Sequence, residues 1–241
     1  MLTIMKILSY PKKLQIKNFI NKGLLIFDLD GTIIDSKKDI INSFNFAFKK
    51  NNLKLINEAF FLKNASRGSD YFIKKNFKKK NIKRSFIDKI NRDFISHYYK
   101  NCTKNTTCKK GLKIFLKKTK KNYVNIITTN KKKKIAEKIC KKLNIFSYFD
   151  QIFGSDTLLN KKPSKKHLDE ILKKYNFKKS KILIFGDSEV DYKLSSHYKI
   201  KYILVKNGYT NKTYNQIKHN LLINDYNNLL KIVNELLNIK N

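Results

Sequence analysis

Cysteine is sparse in this chain. There are three, Cys102, Cys108 and Cys140, an odd number with no CxxC spacing, which argues against a disulfide framework and against a thiolate zinc site. The four histidines, His97, His167, His197 and His219, are scattered, and none pairs with another at metal-ligand spacing; all four read as surface or half-buried side chains. No apolar run approaches the ~20 residues that a membrane-spanning helix needs. The first 22 residues carry only short apolar pieces cut by Lys6, Pro11 and Lys12, without the continuous core of a signal peptide. That stretch is basic and free of acids, as organelle-targeting segments are; the simpler reading is a short extension before the first strand. Arginine is nearly missing too: Arg67, Arg84 and Arg92 stand against 51 lysines. Phosphate and base recognition favours the bidentate guanidinium, so a net charge of +36 is weak support for a nucleic-acid partner. Scarce glycine (7) and proline (2), with abundant Lys, Asn and Ile, suit a coding bias toward A/T-rich codons that has turned solvated positions into Lys and Asn.

Acids are the rare commodity in such a chain, and they are not spread evenly. Residues 27–32 and 186–191 carry five of the 18: Asp28, Asp30, Asp187, Glu189 and Asp191. Asp35 follows shortly after the first group. Drift toward lysine should have eroded these positions, so a chemical requirement is the simpler account.

The chain is long enough for one large domain or a core with an inserted smaller one, and 41% hydrophobic residues support a buried core. Leu24 to Phe27 is an uninterrupted apolar run between glycines, the pattern of a buried parallel strand. Residues 37–52 and 85–101 then carry apolar positions at three- and four-residue spacing, which predicts amphipathic helices. Lys109 to Lys121 is expected to be helical, with Leu112, Phe115 and Leu116 inward. Strands are expected at Tyr123–Thr128, Gln151–Gly154, Ile182–Phe185, Tyr202–Val205 and Leu221–Ile223. Helices are expected at Lys132–Leu143, Lys165–Tyr175, Asp191–His197 and Tyr226–Leu237. This alternation predicts an α/β fold, a doubly wound parallel sheet, with a helical insertion after its first strand. The expected boundaries are an extension over 1–22, a core of 23–35 and 109–241, and a helical cap over 36–108. Lysine runs such as Lys78–Lys80 and Lys131–Lys134 read as solvated faces.

Ligands of open parallel sheets bind beyond the carboxyl ends of the strands, and Asp28, Thr128 or Thr129, and Asp187 fall there. In extended backbone, residues i and i+2 share a side, so Asp28 and Asp30 can approach one reacting group. A carboxylate that faces a phosphoryl group beside Mg²⁺ can act as nucleophile, and a second carboxyl can protonate a leaving oxygen and then deprotonate water. Gly31 permits a tight turn whose N–H groups face phosphate oxygens. The plain alternative is a turn with two solvated aspartates. Asp187 and Asp191 suit Mg²⁺, which prefers a few carboxylates plus water and phosphate; the plain alternative there is a helix N-cap at Ser188 with acids in its first turn. Lys162, restrained before Pro163, offers a fixed positive charge.

The ordered set FDLDGT, IITTN, KKP and GDSEVD resembles the four motifs of the haloacid dehalogenase superfamily of phosphohydrolases, over about residues 23–237. The resemblance implies Asp28 as nucleophile, Asp30 as general acid and base, and Lys162 as the charge stabiliser. It implies Thr129, or else Thr128, with Asn130 at the phosphoryl group. Mg²⁺ would be held by Asp28, the backbone carbonyl of Asp30, and Asp187, with Asp191 in support. An acid at position 30 is similar to phosphatases and phosphomutases rather than to dehalogenases or pump ATPases. A cap between the first two motifs is similar to the helical-cap subfamily. TNK (129–131), KKPSKKHL and NGYT (207–210) look most like phosphoglycolate phosphatase. The cap loop SRGSDYFI is similar to that family's GxGxxxLI stretch, with Ser66 in place of the first glycine, and CKKG stands where relatives often have YPG.

The function expected is Mg²⁺-dependent hydrolysis of a small phosphomonoester, 2-phosphoglycolate, through an aspartyl-phosphate. The alternatives are a sugar phosphomutase of the same fold and a basic nucleic-acid-binding protein. Arg67 and Gly68 are the expected readers of the leaving group, since a guanidinium can bind a small carboxylate bidentately; the plain alternative is a surface arginine and a helix break. A cytoplasmic monomer or homodimer is expected, with a small phosphorylated metabolite as its partner and neither membrane nor specific nucleic acid.

Overall fold

A computed structural model describes residues 22–65, 67–77 and 82–239. The expected extension over 1–22 (Lys22 aside), Ser66 of the cap loop and the run Lys78–Lys80 lie outside the described residues. In chain order the elements are β1 (Gly23–Phe27), β2 (Ile34–Asp35), α1 (Lys37–Lys50), α2 (Glu58–Asn64), α3 (Ser69–Lys75), α4 (Arg84–Asn101), β3 (Thr107–Cys108) and α5 (Leu112–Thr119). There follow β4 (Tyr123–Thr128), α6 (Lys133–Lys142), β5 (Gln151–Phe153), α7 (Lys165–Lys174), β6 (Ile182–Gly186), α8 (Glu189–Ser196), β7 (Lys201–Val205), β8 (Leu221–Ile223) and α9 (Leu229–Leu236).

Six strands form one sheet in the order β5-β4-β1-β6-β7-β8, and every pairing in it is parallel. β1 sits at the middle, with β4 on one side and β6 on the other, so the order reverses beside it and a crevice opens at the carboxyl ends of these three strands. All residues of β1 and β6 are buried, as a strand covered on both faces requires. Their side chains alternate between two cores. Leu25 and Phe27 join Phe115, Phe185 and Tyr226 on one face, and Leu24 and Ile26 join Leu168, Ile171 and Leu194 on the other. Phe27 stacks on Phe185 at 4.5 Å between centroids. The doubly wound sheet with an inserted helical cap matches the expected fold class.

The helices of the insertion, α1 to α4, lie between β2 and β3, which pair antiparallel as Ile34↔Cys108 and Asp35↔Thr107. This two-stranded ribbon, through which the chain leaves the core and returns, was not expected from the sequence; two residues per strand carry no pattern. The seven-residue helices α2 and α3 were not expected either, being shorter than two turns. The helical insertion packs around Phe44, whose ring stacks on Phe94 at 3.8 Å and on Phe72 at 4.2 Å. α8 begins two residues before the expected Asp191, and the last helix begins at Leu229 rather than Tyr226, whose buried ring belongs to the core. Among the described residues no helix is long and apolar enough to cross a membrane.

One buried acid ties the two ends of the insertion together. Asp39, in the first turn of α1, accepts from Asn105 N at 2.9 Å, Asn105 Nδ2 at 2.7 Å, Thr106 N at 3.0 Å and Thr106 Oγ1 at 2.8 Å. Asp39→Ala strips these donors, the buried Thr106 pair among them, of their acceptor. The expected loss is about 2–3 kcal/mol of stability, read as a lower urea midpoint at unchanged slope. An unshifted midpoint would deny Asp39 this role.

Candidate active site

The register of the sheet brings the functional side chains to one edge. Phe27 lies level with Ile127 on β4 and Phe185 on β6, so the residues just beyond, Asp28, Thr128 and Gly186, emerge together. Asp28 N donates to Phe185 O at 2.9 Å and Thr129 N to Phe153 O at 2.9 Å, which extends the sheet's bonding past the strand ends. Gly31 turns the chain with φ +80°; a Cβ there would fall on the Asp187 carboxylate. Gly208 approaches the same carboxylate just as closely, so Asp187 is seated between two backbones that only glycine allows so near.

Lys162 is the hub. Its Nζ lies 2.6 Å from Asp28 Oδ1 and 2.7 Å from Asp191 Oδ1, and all three side chains are buried. Ser188 Oγ donates to Asp191 Oδ2 at 2.9 Å, and Thr32 Oγ1 donates to Asp28 Oδ2 at 3.3 Å. Asn130 holds the Lys162 backbone from both sides: Lys162 N donates to Asn130 Oδ1 at 3.2 Å, and Asn130 Nδ2 to Lys162 O at 3.3 Å. The Lys162–Pro163 peptide is cis.

Asp30 sits apart from that cluster. Its Oδ1 accepts from Ser36 Oγ and lies 3.1 Å from Lys131 Nζ. Lys131 in turn donates to the hydroxyl of Tyr98, on α4, and lies over its ring at 4.2 Å. Tyr209 ties the core to the ribbon: its N–H donates to Asp187 Oδ2, its hydroxyl donates to Asp35 Oδ1 at 2.8 Å and accepts from Ser36 N at 2.6 Å, and its ring meets Phe61 of α2 at 5.2 Å.

A cavity of about 280 Å³ opens between sheet edge and insertion. Asp28, Asp30, Thr129, Asn130, Lys162, Asp187, Asp191, Arg67 and Gly68 all line it, so every site residue expected from the sequence meets there. Thr128 does not; its hydroxyl is engaged by His167 Nε2, whose Nδ1 bonds Asn160 O at 2.7 Å. His167 is therefore a buried side chain rather than a surface or half-buried one, and burial lowers its pKa. Lys131 corrects another expectation. It opens a lysine run read as solvated, yet its side chain is 7% exposed because Asp30 and Tyr98 enclose it. Gly68 has φ +86°, and a Cβ there would meet nothing within 4 Å. The glycine answers a backbone requirement, not a close approach. The Arg67 guanidinium lies 5.0 Å from the Tyr71 ring. Tyr98 and Ser36 were missed. Lys131 and Tyr209 stood in the TNK and NGYT motifs, but neither was assigned a contact.

Residues 25–205 match the family model of the haloacid dehalogenase-like hydrolases. A phosphoglycolate phosphatase of Aquifex aeolicus is 30% identical over 77% of this chain and 85% of its own length. One from Mesorhizobium japonicum is 24% identical over 87% of this chain and 93% of its own. Among solved structures, a predicted phosphoglycolate phosphatase of Haemophilus somnus superposes with a TM-score of 0.81 at 25% identity, covering 87% of this chain and 97% of its own. A haloacid dehalogenase-like family protein of Streptococcus pneumoniae reaches 0.75 at 18% identity, covering 87% and 97%; at that identity the likeness is one of fold.

The acid cluster is electrostatically incomplete. Asp28, Asp187 and Asp191 bring ligand oxygens within 4.8 Å of one another, with one ammonium between two of them. Burial pushes the Asp28 carboxyl up to about 7, against the pull of Lys162 and with the help of Asp191. Burial, then the charge of Asp28, holds Asp187 well above the usual carboxylate range. Burial alone would depress Lys162, but Asp191 and Asp28 outweigh it and raise its pKa. An all-oxygen donor set short of positive charge fits a hard divalent cation such as Mg²⁺. The sign of the linkage follows. In chelator, folded Asp28 retains a proton between its ordinary 3.8 and about 7 that the unfolded chain releases. Wild-type stability relative to Asp28→Asn should therefore fall as pH rises through that window, and Mg²⁺ should flatten the fall. Urea titrations at several pH values measure it; parallel curves for the two proteins would sink the assignment.

Proposed function

The chain belongs to the haloacid dehalogenase-like hydrolases and is a phosphatase, a phosphoric monoester hydrolase; from that premise we propose that it hydrolyses 2-phosphoglycolate to glycolate and phosphate through an aspartyl-phosphate on Asp28. The observation that carries the chemistry is the pairing, in one cavity, of a buried aspartate held by Lys162 with a second aspartate two residues on that is held by other partners. Two carboxyls in distinct surroundings can take distinct roles.

On this reading an oxygen of Asp28 attacks phosphorus, the ester P–O bond breaks, and Asp30 gives its proton to the departing oxygen. Asp30 then takes a proton from water as that water attacks phosphorus, and the P–O bond to Asp28 breaks, releasing phosphate and restoring both carboxyls. The contacts of Asp30 from Ser36 and Lys131 both end on Oδ1, which leaves Oδ2 for the proton. Lys162 balances charge at Asp28, and Thr129 and Asn130 border the phosphoryl pole. Asp28, the backbone carbonyl of Asp30, and Asp187, with Asp191 in support, would hold a Mg²⁺ ion, which would supply positive charge to the phosphoryl oxygens. Residues 36–108 act as the cap and 23–35 with 109–241 as the core. The cap supplies the wall opposite the nucleophile, Arg67 and Gly68 included. The choice of 2-phosphoglycolate is supported by the names of the curated relatives and by the cavity's size, which suits a small leaving group.

Four outcomes are expected. Asp28→Asn should reduce turnover to background with the fold intact, and near-wild-type hydrolysis would remove the mechanism. Asp30→Asn should cost roughly 10²–10⁴-fold in kcat. Activity should vanish in EDTA and return with Mg²⁺ but not Ca²⁺, whose larger, looser shell suits the geometry poorly. In a panel with hexose phosphates, glycerol phosphate, phosphoserine and nucleotides, kcat/KM should be highest for 2-phosphoglycolate. A nucleotide or hexose phosphate in first place would overturn the substrate and leave the phosphatase chemistry standing.

A further inference from the structure

We infer that Lys131 is the specificity-determining cation of this site, donating a hydrogen bond to a carboxylate that the leaving group carries one carbon from its ester oxygen. The inference rests on the 2-phosphoglycolate reading and deepens it. An ammonium has three donors. Lys131 forms an ion pair with Asp30 Oδ1 at 3.1 Å and donates a hydrogen bond to the Tyr98 hydroxyl; no further protein acceptor for it stands among the described residues. A nearly buried cation on a cavity wall with one N–H unspent calls for a ligand acceptor.

Distance selects the ligand. A leaving oxygen that receives its proton from Asp30 lies within about 3 Å of that carboxyl. A carboxylate on the adjacent carbon falls within a further bond or two, the range already spanned between Asp30 and Lys131. A carboxylate placed farther out, on a sugar acid or a long chain, passes beyond this ammonium. The other cations of the cavity are less suited. Arg84 is committed to Asp70 at 2.7 Å and Asp88 at 2.9 Å. Arg67 lies over Tyr71 in the cap loop. Lys162 sits on the nucleophile and its neighbour.

The test compares 2-phosphoglycolate with its neutral carboxamide isostere in wild type, Lys131→Met and Arg67→Ala. Methionine retains the apolar stem against the Tyr98 ring and removes the charge. In Lys131→Met, kcat/KM for the carboxylate substrate should fall roughly 100-fold more than for the carboxamide, so the discrimination collapses. Arg67→Ala should preserve the discrimination. Lys131→Arg should recover part of it, and Lys131→Gln, which keeps a donor for Tyr98, replaces the methionine variant if that protein lacks a cooperative thermal transition. Equal losses on both substrates would show that Lys131 acts only by positioning Asp30, and intact discrimination would remove it from the site; either result overturns the inference while the substrate reading stands. A wild type that does not prefer the carboxylate over the carboxamide overturns both.

Discussion

One buried ammonium stands between carboxylates that repel each other, and the rest of the site is arranged around that fact. At an effective dielectric of ~20, two like charges 4 Å apart cost about 4 kcal/mol, and Asp28, Asp187 and Asp191 gather their oxygens within 4.8 Å. Lys162 offsets part of that repulsion for two of the three. Much of the surrounding structure holds this arrangement in place. Asn130 clasps the backbone of Lys162, Ser188 and Thr32 donate to the acids, and Gly31 and Gly208 press their backbones against Asp187. The charge that remains unbalanced suits a hard divalent cation.

The separation of Asp30 from that cluster matters equally. Two aspartates in one short segment can take different roles only where their surroundings differ. Here one faces Lys162 at the sheet edge and the other faces Ser36 and Lys131. The helical insertion takes part directly, because Tyr98 on α4 supports the cation that supports Asp30. Asp30 therefore shares its contacts with both halves of the molecule.

Much of this was legible in the sequence, for physical reasons. β1 and β6 are covered on both faces, so they read as unbroken apolar runs, and the acids that follow them had to fall at the carboxyl edge. Long helices such as α1 and α4 displayed full periods. α2 and α3, at seven residues each, could not, although Asn57, whose side chain accepts from Phe60 N, was a readable cap. Lys131 stood in the TNK motif, yet its burial was not legible: among 51 lysines, nothing local distinguishes the one that the fold encloses from its solvated neighbours. Tyr98 and Tyr209 belong to the site only through contacts across long stretches of chain, which spacing cannot report. Choosing between Thr128 and Thr129 needed the position of His167.

Tyr209 holds Asp187 with its backbone and the ribbon with its hydroxyl, while its ring rests on Phe61 of the insertion. A rigid side chain joins these grips, so it works as a tie-bar: the seat of Asp187, the ribbon and the insertion are pinned to one another through a single ring, and none of the three can be repacked without the other two registering it.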